Sequence, residues 1–432
     1  MQGRRAFAER PALWLYLTAG ALILVATAVT VAWLGPLPPK VVVMSTGTEG
    51  GTYDVFAQQY KVILARSGVV LRLVPSAGGV QNLARLNDPR SGVTVAFAQS
   101  GLTGEAQSRD LESLGTLFYE PFWLFYRGAD PGARLEGLRG KKVSVGPEGS
   151  GTRALGAQFL AYEGINERVV QLLPLSAAQS GAALLRRDID AALMVASWDT
   201  PVVRQLLASS DVHVWGFPRA DALVALHPFL TRLILPQGAA DMVSNRPPTD
   251  VSLVAPRASL IVRRDLHPAI QYLLLDAASE IHAVPSIFQK PGQFPAPEEE
   301  DLPLSKEARQ FYKSGGPLLQ RYLPFWLAVF VGRILVLLIP IVAVAFPLLR
   351  IVPAIYGWGM RRRIFRLYGE LKIIELESET RGDSATEDML AQLDRLEERA
   401  DHLRVPRSFA TMLYTLRAHI GLVRTRLMDR VR

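Results

Sequence analysis

Cysteine is absent from the 432 residues. Disulfides, thiol nucleophiles and cysteine metal sites are therefore excluded, while the redox compartment stays open. Histidine is scarce, with six residues and no His-Glu-x-x-His spacing. His213, His227, His267 and His282 read as surface or cap residues, and no metal site is expected. Neither of two glycine-rich stretches is followed by Gly-Lys-Ser/Thr, so a Walker loop is missing. Gly146-Pro-Glu-Gly-Ser-Gly does not follow the Gly-x-Gly-x-x-Gly dinucleotide pattern. Ser150 lies between glycines but outside a Gly-x-Ser-x-Gly elbow. The chain calls for no cofactor. Zinc-finger and RNP motifs are missing too, so the net charge of +8 does not point to nucleic acid.

What is present is one loop plan used twice. Val41-Val-Val-Met44 reads as a strand, Ser45-Thr-Gly-Thr-Glu-Gly-Gly-Thr-Tyr53 as a small-residue loop, and Val55, Phe56, Tyr60, Val62 and Ile63 as a helix face. Glycines let the backbone approach a ligand, and the following helix presents unpaired N–H groups that suit an anion. A plain turn with a helix cap has the same signature. Lys142–Val145, Gly146-Pro-Glu-Gly-Ser-Gly-Thr152 and a helix from Arg153 repeat the order. Arg153 near a helix start is disfavoured unless an anion joins it, or else it points to solvent.

Each loop is followed by a second unit. Strand 69–74, Ser76-Ala-Gly-Gly79, helix 80–86 and strand 93–98 end at Gln99-Ser100. Strand 169–174, Ser176 to Gly181, helix 182–187 and strand 189–195 end at Ser197-Trp198-Asp199. Alternating strands and helices imply parallel βα units, so the expected fold class is α/β with two lobes facing one cleft. Glu49 and Glu148, one in each loop, read as solvated rather than as a catalytic pair, and no enzyme is expected.

Ala12–Leu34 is uncharged and long enough for a bilayer of about 30 Å. Arg4, Arg5 and Arg10 before it place the N-terminus (1–11) in the cytoplasm. A signal peptide cleaved near Ala26-Thr27-Ala28 is the rival reading. A second apolar segment covers 325–355, with Arg333 at an interface or against a partner, Arg350 snorkelling, and Pro340, Pro347 and Pro353 as kink sites. Arg361-Arg362-Arg363 and Arg366 then mark the cytoplasmic side. Both termini are thus expected inside, with 40–320 outside. Pro285–Pro303 reads as an extended arm within a 285–320 linker. In the tail, 361–432, Leu390, Leu393, Leu396 and Leu403 and then Phe409, Leu413, Leu416, Ile420, Val423 and Leu427 form two apolar stripes. With a break at Val405-Pro406-Arg407, they predict a helical hairpin packing on itself or on another subunit.

The loops Ser45 to Tyr53, Ser76-Ala-Gly-Gly-Val-Gln-Asn82, Val95-Ala-Phe-Ala-Gln-Ser100 and Gly149-Ser-Gly-Thr152 resemble, in order, the solute-binding subunits of TRAP transporters, TAXI branch. Phe311-Tyr-Lys-Ser-Gly-Gly-Pro317 through Arg363 resembles its membrane-anchored subset. The resemblance implies a type II periplasmic-binding-protein fold, with lobe 1 over about 40–125 plus 220–284 and lobe 2 over about 126–219. It implies a bacterial inner-membrane protein with a periplasmic domain that captures a small organic acid (dicarboxylate, 2-oxoglutarate or glutamate-like). Separate TRAP membrane subunits would be its partners. A ligand-binding sensor that signals through the cytoplasmic tail is the alternative. Carried over by position, the ligand contacts are Thr46, Gly47, Thr48, Gly51, Thr52 and Tyr53, then Gln99 and Ser100, then Gly149, Ser150, Gly151 and Thr152 with Arg153 nearby. Trp198 and Asp199 are weaker candidates, Trp198 reading equally as core. Glu49 and Gly101 depart from the family pattern, and a carboxylate at Glu49 would repel an anion unless turned away.

Overall fold

A computed structural model describes residues 11–33, 36–102, 109–298, 301–380 and 386–431. The N-terminal arginines lie outside these residues. The chain divides into two units, 36–330 and the helical remainder.

In chain order, helix α1 (Pro11–Trp33) precedes β1 (Val41–Ser45), α2 (Thr52–Arg66), β2 (Val70–Val74), α3 (Gly79–Asn87), β3 (Val95–Gln99) and β4 (Leu111–Tyr119). The second lobe holds β5 (Phe122–Tyr126), β6 (Lys142–Ser144), α4 (Gly151–Tyr162), β7 (Gln171–Leu173), α5 (Ala177–Leu185), β8 (Ala191–Val195), α6 (Pro201–Ala208), β9 (His213–Val214), α7 (Ala220–Leu226), β10 (Thr231–Leu235) and β11 (Val251–Ala255). The chain then returns through β12 (Arg257–Arg263), α8 (Pro268–His282), α9 (Lys306–Ser314) and α10 (Leu318–Tyr322).

The sheets repeat one order. The first runs β2-β1-β3-β12-β4 and the second β7-β6-β8-β5-β11-β10, with β9 beside β5. In each, the first three strands are parallel and the next two antiparallel. This is the two-lobed, type II periplasmic-binding-protein arrangement. The lobes are joined where β4 passes into β5 and β11 into β12, and at that crossing Glu120 N–H donates to the Pro256 carbonyl at 3.0 Å. The lobe edges differ from expectation. β5, β10 and β11 belong to the second sheet: β5 and β11 are largely buried apolar strands that pair there, and β10 pairs antiparallel with β11 at the sheet's edge.

Helix α2 buries Tyr53, Ala57, Tyr60 and Leu64, a three-four spacing that lays one face on the sheet. It meets α8 in an aromatic cluster where His282 stacks on Phe118 at 5.3 Å. The arm after α8 is not a free linker. Ala296 exchanges main-chain hydrogen bonds with Thr116, and Ser113 bonds Pro303 and Ser305, so the arm extends the edge of the first sheet. Phe294, Leu302, Leu304 and Ala308 are buried there, which an exposed linker would not allow.

The helical unit also departs from expectation. Helix α11 runs unbroken from Phe325 to Thr380, through all three prolines. Among the described residues it holds the one segment long and apolar enough to cross a membrane by length and composition; Leu17–Ala32 within α1 is a shorter apolar stretch. One such helix therefore replaces the two expected. Ile364, Leu367, Leu371 and Ile374 pack with α12 (Thr386–Asp401) and α13 (Ala410–Val431) around Leu393, Leu396, Leu416 and Ile420. The expected hairpin is thus two members of a three-helix cluster, because the end of α11 supplies a third apolar stripe at helical spacing.

His282 is 2% exposed, its Nε2 has no hydrogen-bond partner, and burial pushes its pKa down to about 3. The unfolded imidazole titrates near 6.5. Between these values the unfolded state binds more protons, so folding stability rises with pH from about 3 to 6.5, at up to about 1.4 kcal/mol per unit, and is flat above. Denaturant unfolding of wild type and His282→Phe across pH 4 to 8 should diverge with that slope. Parallel profiles would contradict it.

Candidate functional site

The site grows from a buried asparagine. Asn82, on α3, is fully enclosed. Its Nδ2 donates to the Thr46 carbonyl at 2.6 Å and the Phe97 carbonyl at 2.8 Å; its Oδ1 accepts from Ser45 Oγ at 2.6 Å and Ser76 Oγ at 2.7 Å. All four hydrogen-bonding positions of the amide are used. Loop 45–48, loop 75–79 and the end of β3 are thereby tied to one point. The second lobe repeats the tie with smaller groups. Ser144 Oγ meets Ser180 Oγ at 2.6 Å, and Ser180 is the fourth residue of α5 as Asn82 is of α3.

With the loops fixed, the starts of α2 and α4 converge on one cavity of about 70 Å³. Gly47, Thr48, Gly51, Thr52, Tyr53 and Gln99 line it from the first lobe, and Ser150, Gly151 and Thr152 from the second. Helix α2 begins at Gly51 without a side-chain cap. No hydrogen bond from the main-chain N–H of Thr52, Tyr53, Gly151 or Thr152 occurs among the described residues. The lobes touch at the rim. Thr52 Oγ1 lies 2.7 Å from Thr200 Oγ1 and accepts from Ser197 N–H at 3.1 Å, and Gln81 N–H donates to the Gly149 carbonyl at 3.0 Å. Gly151 lets the Gln99 side chain come close, since a Cβ there would sit 1.9 Å from Gln99 Oε1 and displace that amide.

Five of the residues expected at the ligand stand elsewhere. Thr46 is buried beneath the loop, its carbonyl held by Asn82 Nδ2. Ser100 Oγ donates to the Phe229 carbonyl at 3.2 Å and accepts from Arg257 N–H at 3.0 Å, so it serves the lobe contact. Gly149 makes the rim bond to Gln81. Arg153 pairs with Glu167 at 3.5 Å rather than joining an anion. Trp198 packs edge-on to Phe288, with the Arg204 guanidinium over its ring, and does not line the cavity. Asp199 lies beside it, 3.7 Å from Arg204, with its pKa raised by burial against the pull of that cation.

The two departures from the family pattern also find places. Glu49 is exposed and outside the cavity lining. Gly101 has φ +82°, and a Cβ there would meet the Phe229 ring at 2.6 Å. A side chain at 101 would hold the lobes apart.

Sequence reasoning missed Glu120. It lies at the crossing of the lobes, 2% exposed, and its carboxyl lines the cavity. Tyr53 Oη donates to its Oε2 at 2.7 Å. Burial raises its pKa to about 8 against the lowering effect of that hydrogen bond, and the same pair holds the Tyr53 phenol well above its ordinary value, by burial first and by the Glu120 charge second. The signal was a lone acid in the apolar run Leu117-Phe-Tyr-Glu-Pro-Phe-Trp123.

Among solved structures, a protein from Bordetella bronchiseptica RB50 shares 18% identity over 57% of this chain and 72% of its own, with a TM-score of 0.39. The periplasmic aliphatic sulphonate binding protein SsuA from Escherichia coli shares 17% over 72% and 83%, with a TM-score of 0.34. A periplasmic substrate-binding protein of an ABC transporter from Coxiella burnetii shares 18% over 55% and 91%, with a TM-score of 0.33. The sequence model of the NMT1-like family matches residues 44–316, which is more than half of the chain and spans both lobes and the cleft between them. The protein belongs to the NMT1-like family.

Proposed function

We propose that this chain is a membrane-tethered extracytoplasmic solute receptor. It captures a small carboxylate-bearing molecule in the cleft and delivers it to separate membrane subunits of a secondary transporter, of TRAP type and TAXI branch. The observation that carries the reading is the convergence of two loop–helix starts, one per lobe, on a single cavity, the first without a side-chain cap and the second capped by Ser150. Main-chain N–H groups at helix starts stabilise an anion without a basic side chain. The Thr48 hydroxyl lines the cavity as a further donor and acceptor, and Thr152 Oγ1, which accepts from Val195 N–H, keeps its proton to donate. The lining favours binding over catalysis, because Ser150 Oγ is already engaged with the Pro147 carbonyl at 2.7 Å. The apolar segment of α11 would tether the receptor in a bacterial inner membrane, with the lobes in the periplasm and the tail in the cytoplasm. One span cannot form an alternating-access pore unaided, so transport would fall to other chains.

The full chain in detergent should gain thermal stability with one small acid from a broad panel of acids, amino acids and sugars. At a hundredfold excess over Kd the gain is about 2.7 kcal/mol. No shift with any compound would contradict the receptor reading.

Closure of the lobes has its own test. Thr52→Val keeps the side-chain shape and leaves Ser197 N–H without a partner only when the lobes meet, at a cost of about 1–3 kcal/mol. With spin labels on Lys61→Cys and Ala157→Cys, in a chain with no native cysteine, the inter-lobe distance should lengthen in Thr52→Val. An unchanged distance distribution would show that these hydroxyls do not hold the cleft shut.

A further inference from the structure

Resting on the receptor reading, we propose that Glu120 selects the solute: the cleft takes a small molecule that pairs one anionic group with an ammonium group, and it rejects dianions. The cavity lining carries two chemistries. The main-chain N–H groups at the starts of α2 and α4 reach it with no protein acceptor among the described residues. Glu120 lines it too, with Oε2 held by Tyr53 and Oε1 without a protein partner among the described residues. No Arg, Lys or His side chain lines the cavity, and Arg153 is turned to Glu167. A second carboxylate on the solute would therefore meet a buried acid and find no cation. An ammonium there would instead offset the cost of burying the Glu120 charge.

The pairing has a proton balance. Among the described residues Tyr53 is the only other titratable side chain lining the cavity, so burial and that phenol act on Glu120. Burial raises the Glu120 pKa to about 8, which favours the protonated carboxyl at neutral pH. When an ammonium group binds, the Glu120 O–H bond breaks, its proton leaves to solvent, and a carboxylate–ammonium pair remains. Uptake of a zwitterion then releases close to one proton per molecule bound.

The test is isothermal titration calorimetry on the full chain in nanodiscs at pH 7. The probes are L-alanine and L-serine, propionate as the analogue lacking the ammonium, and succinate as the dianion. Buffers of different ionisation heat count the protons. The expected result is that an amino acid binds at least about tenfold tighter than propionate and succinate, with proton release. Glu120→Gln should bring the ratio below about threefold and abolish the release. The wild-type selectivity and proton count are read without any variant, which holds the test should Glu120→Gln fail to fold. Succinate or propionate binding as tightly as the amino acids, or proton release that persists in Glu120→Gln, would overturn the proposal and leave the receptor reading intact. Binding of none of the four probes would overturn it as well. The receptor reading itself falls only if the broad panel is also silent.

Discussion

The geometry of the cleft depends on the amide of Asn82. A buried amide is costly unless every donor and acceptor is met. Here all four are met by groups from three separate segments, so the segments cannot move independently. The Thr46 carbonyl is held inward by this amide, and the following glycines turn the chain toward the cavity. The serine pair of the second lobe does the same work with one hydroxyl replacing the amide. Each lobe thus fixes its loop from beneath, on a parallel strand, before any solute arrives. That is preorganisation, which lowers the ordering cost of binding.

Charge in the cleft is arranged without basic side chains. An anion would be met by main-chain dipoles, which carry no hydration shell to strip. The acid that the loops seemed to present, Glu49, faces outward. The acid that matters is Glu120, placed where the two lobes cross and where only Tyr53 bonds its carboxyl.

The sequence made the βα plan legible because strand and helix periodicities alternate cleanly and the two loops share one composition. The boundaries of nine strands and helices in the repeated units lie close to those read from the spacing of Val41 to Val195, while the helix read at 182–187 begins at Ala177, where Ser176 caps it. What stayed hidden was long-range. β5, β10 and β11 are apolar strands that suit either sheet, and only the crossing at Glu120 and Pro256 assigns them. The arm around Ala296 reads as extended and acidic, yet extended backbone is also what a sheet edge recruits. Arg153 and Ser100 match loop positions but are captured by Glu167 and by the Phe229 and Arg257 main chains, partners far away in the chain. The stripe at Ile364 to Ile374 was hidden because it continues an apolar helix without a break.

The central claim is that both lobes grip one small solute through their helix starts. A crystal structure of the chain with the tightest compound from the ligand panel tests it most directly. The account predicts density bridging the N–H groups of Thr52 and Gly151, with a nitrogen against Glu120. A solute resting on one lobe alone, or outside the cavity, would contradict it.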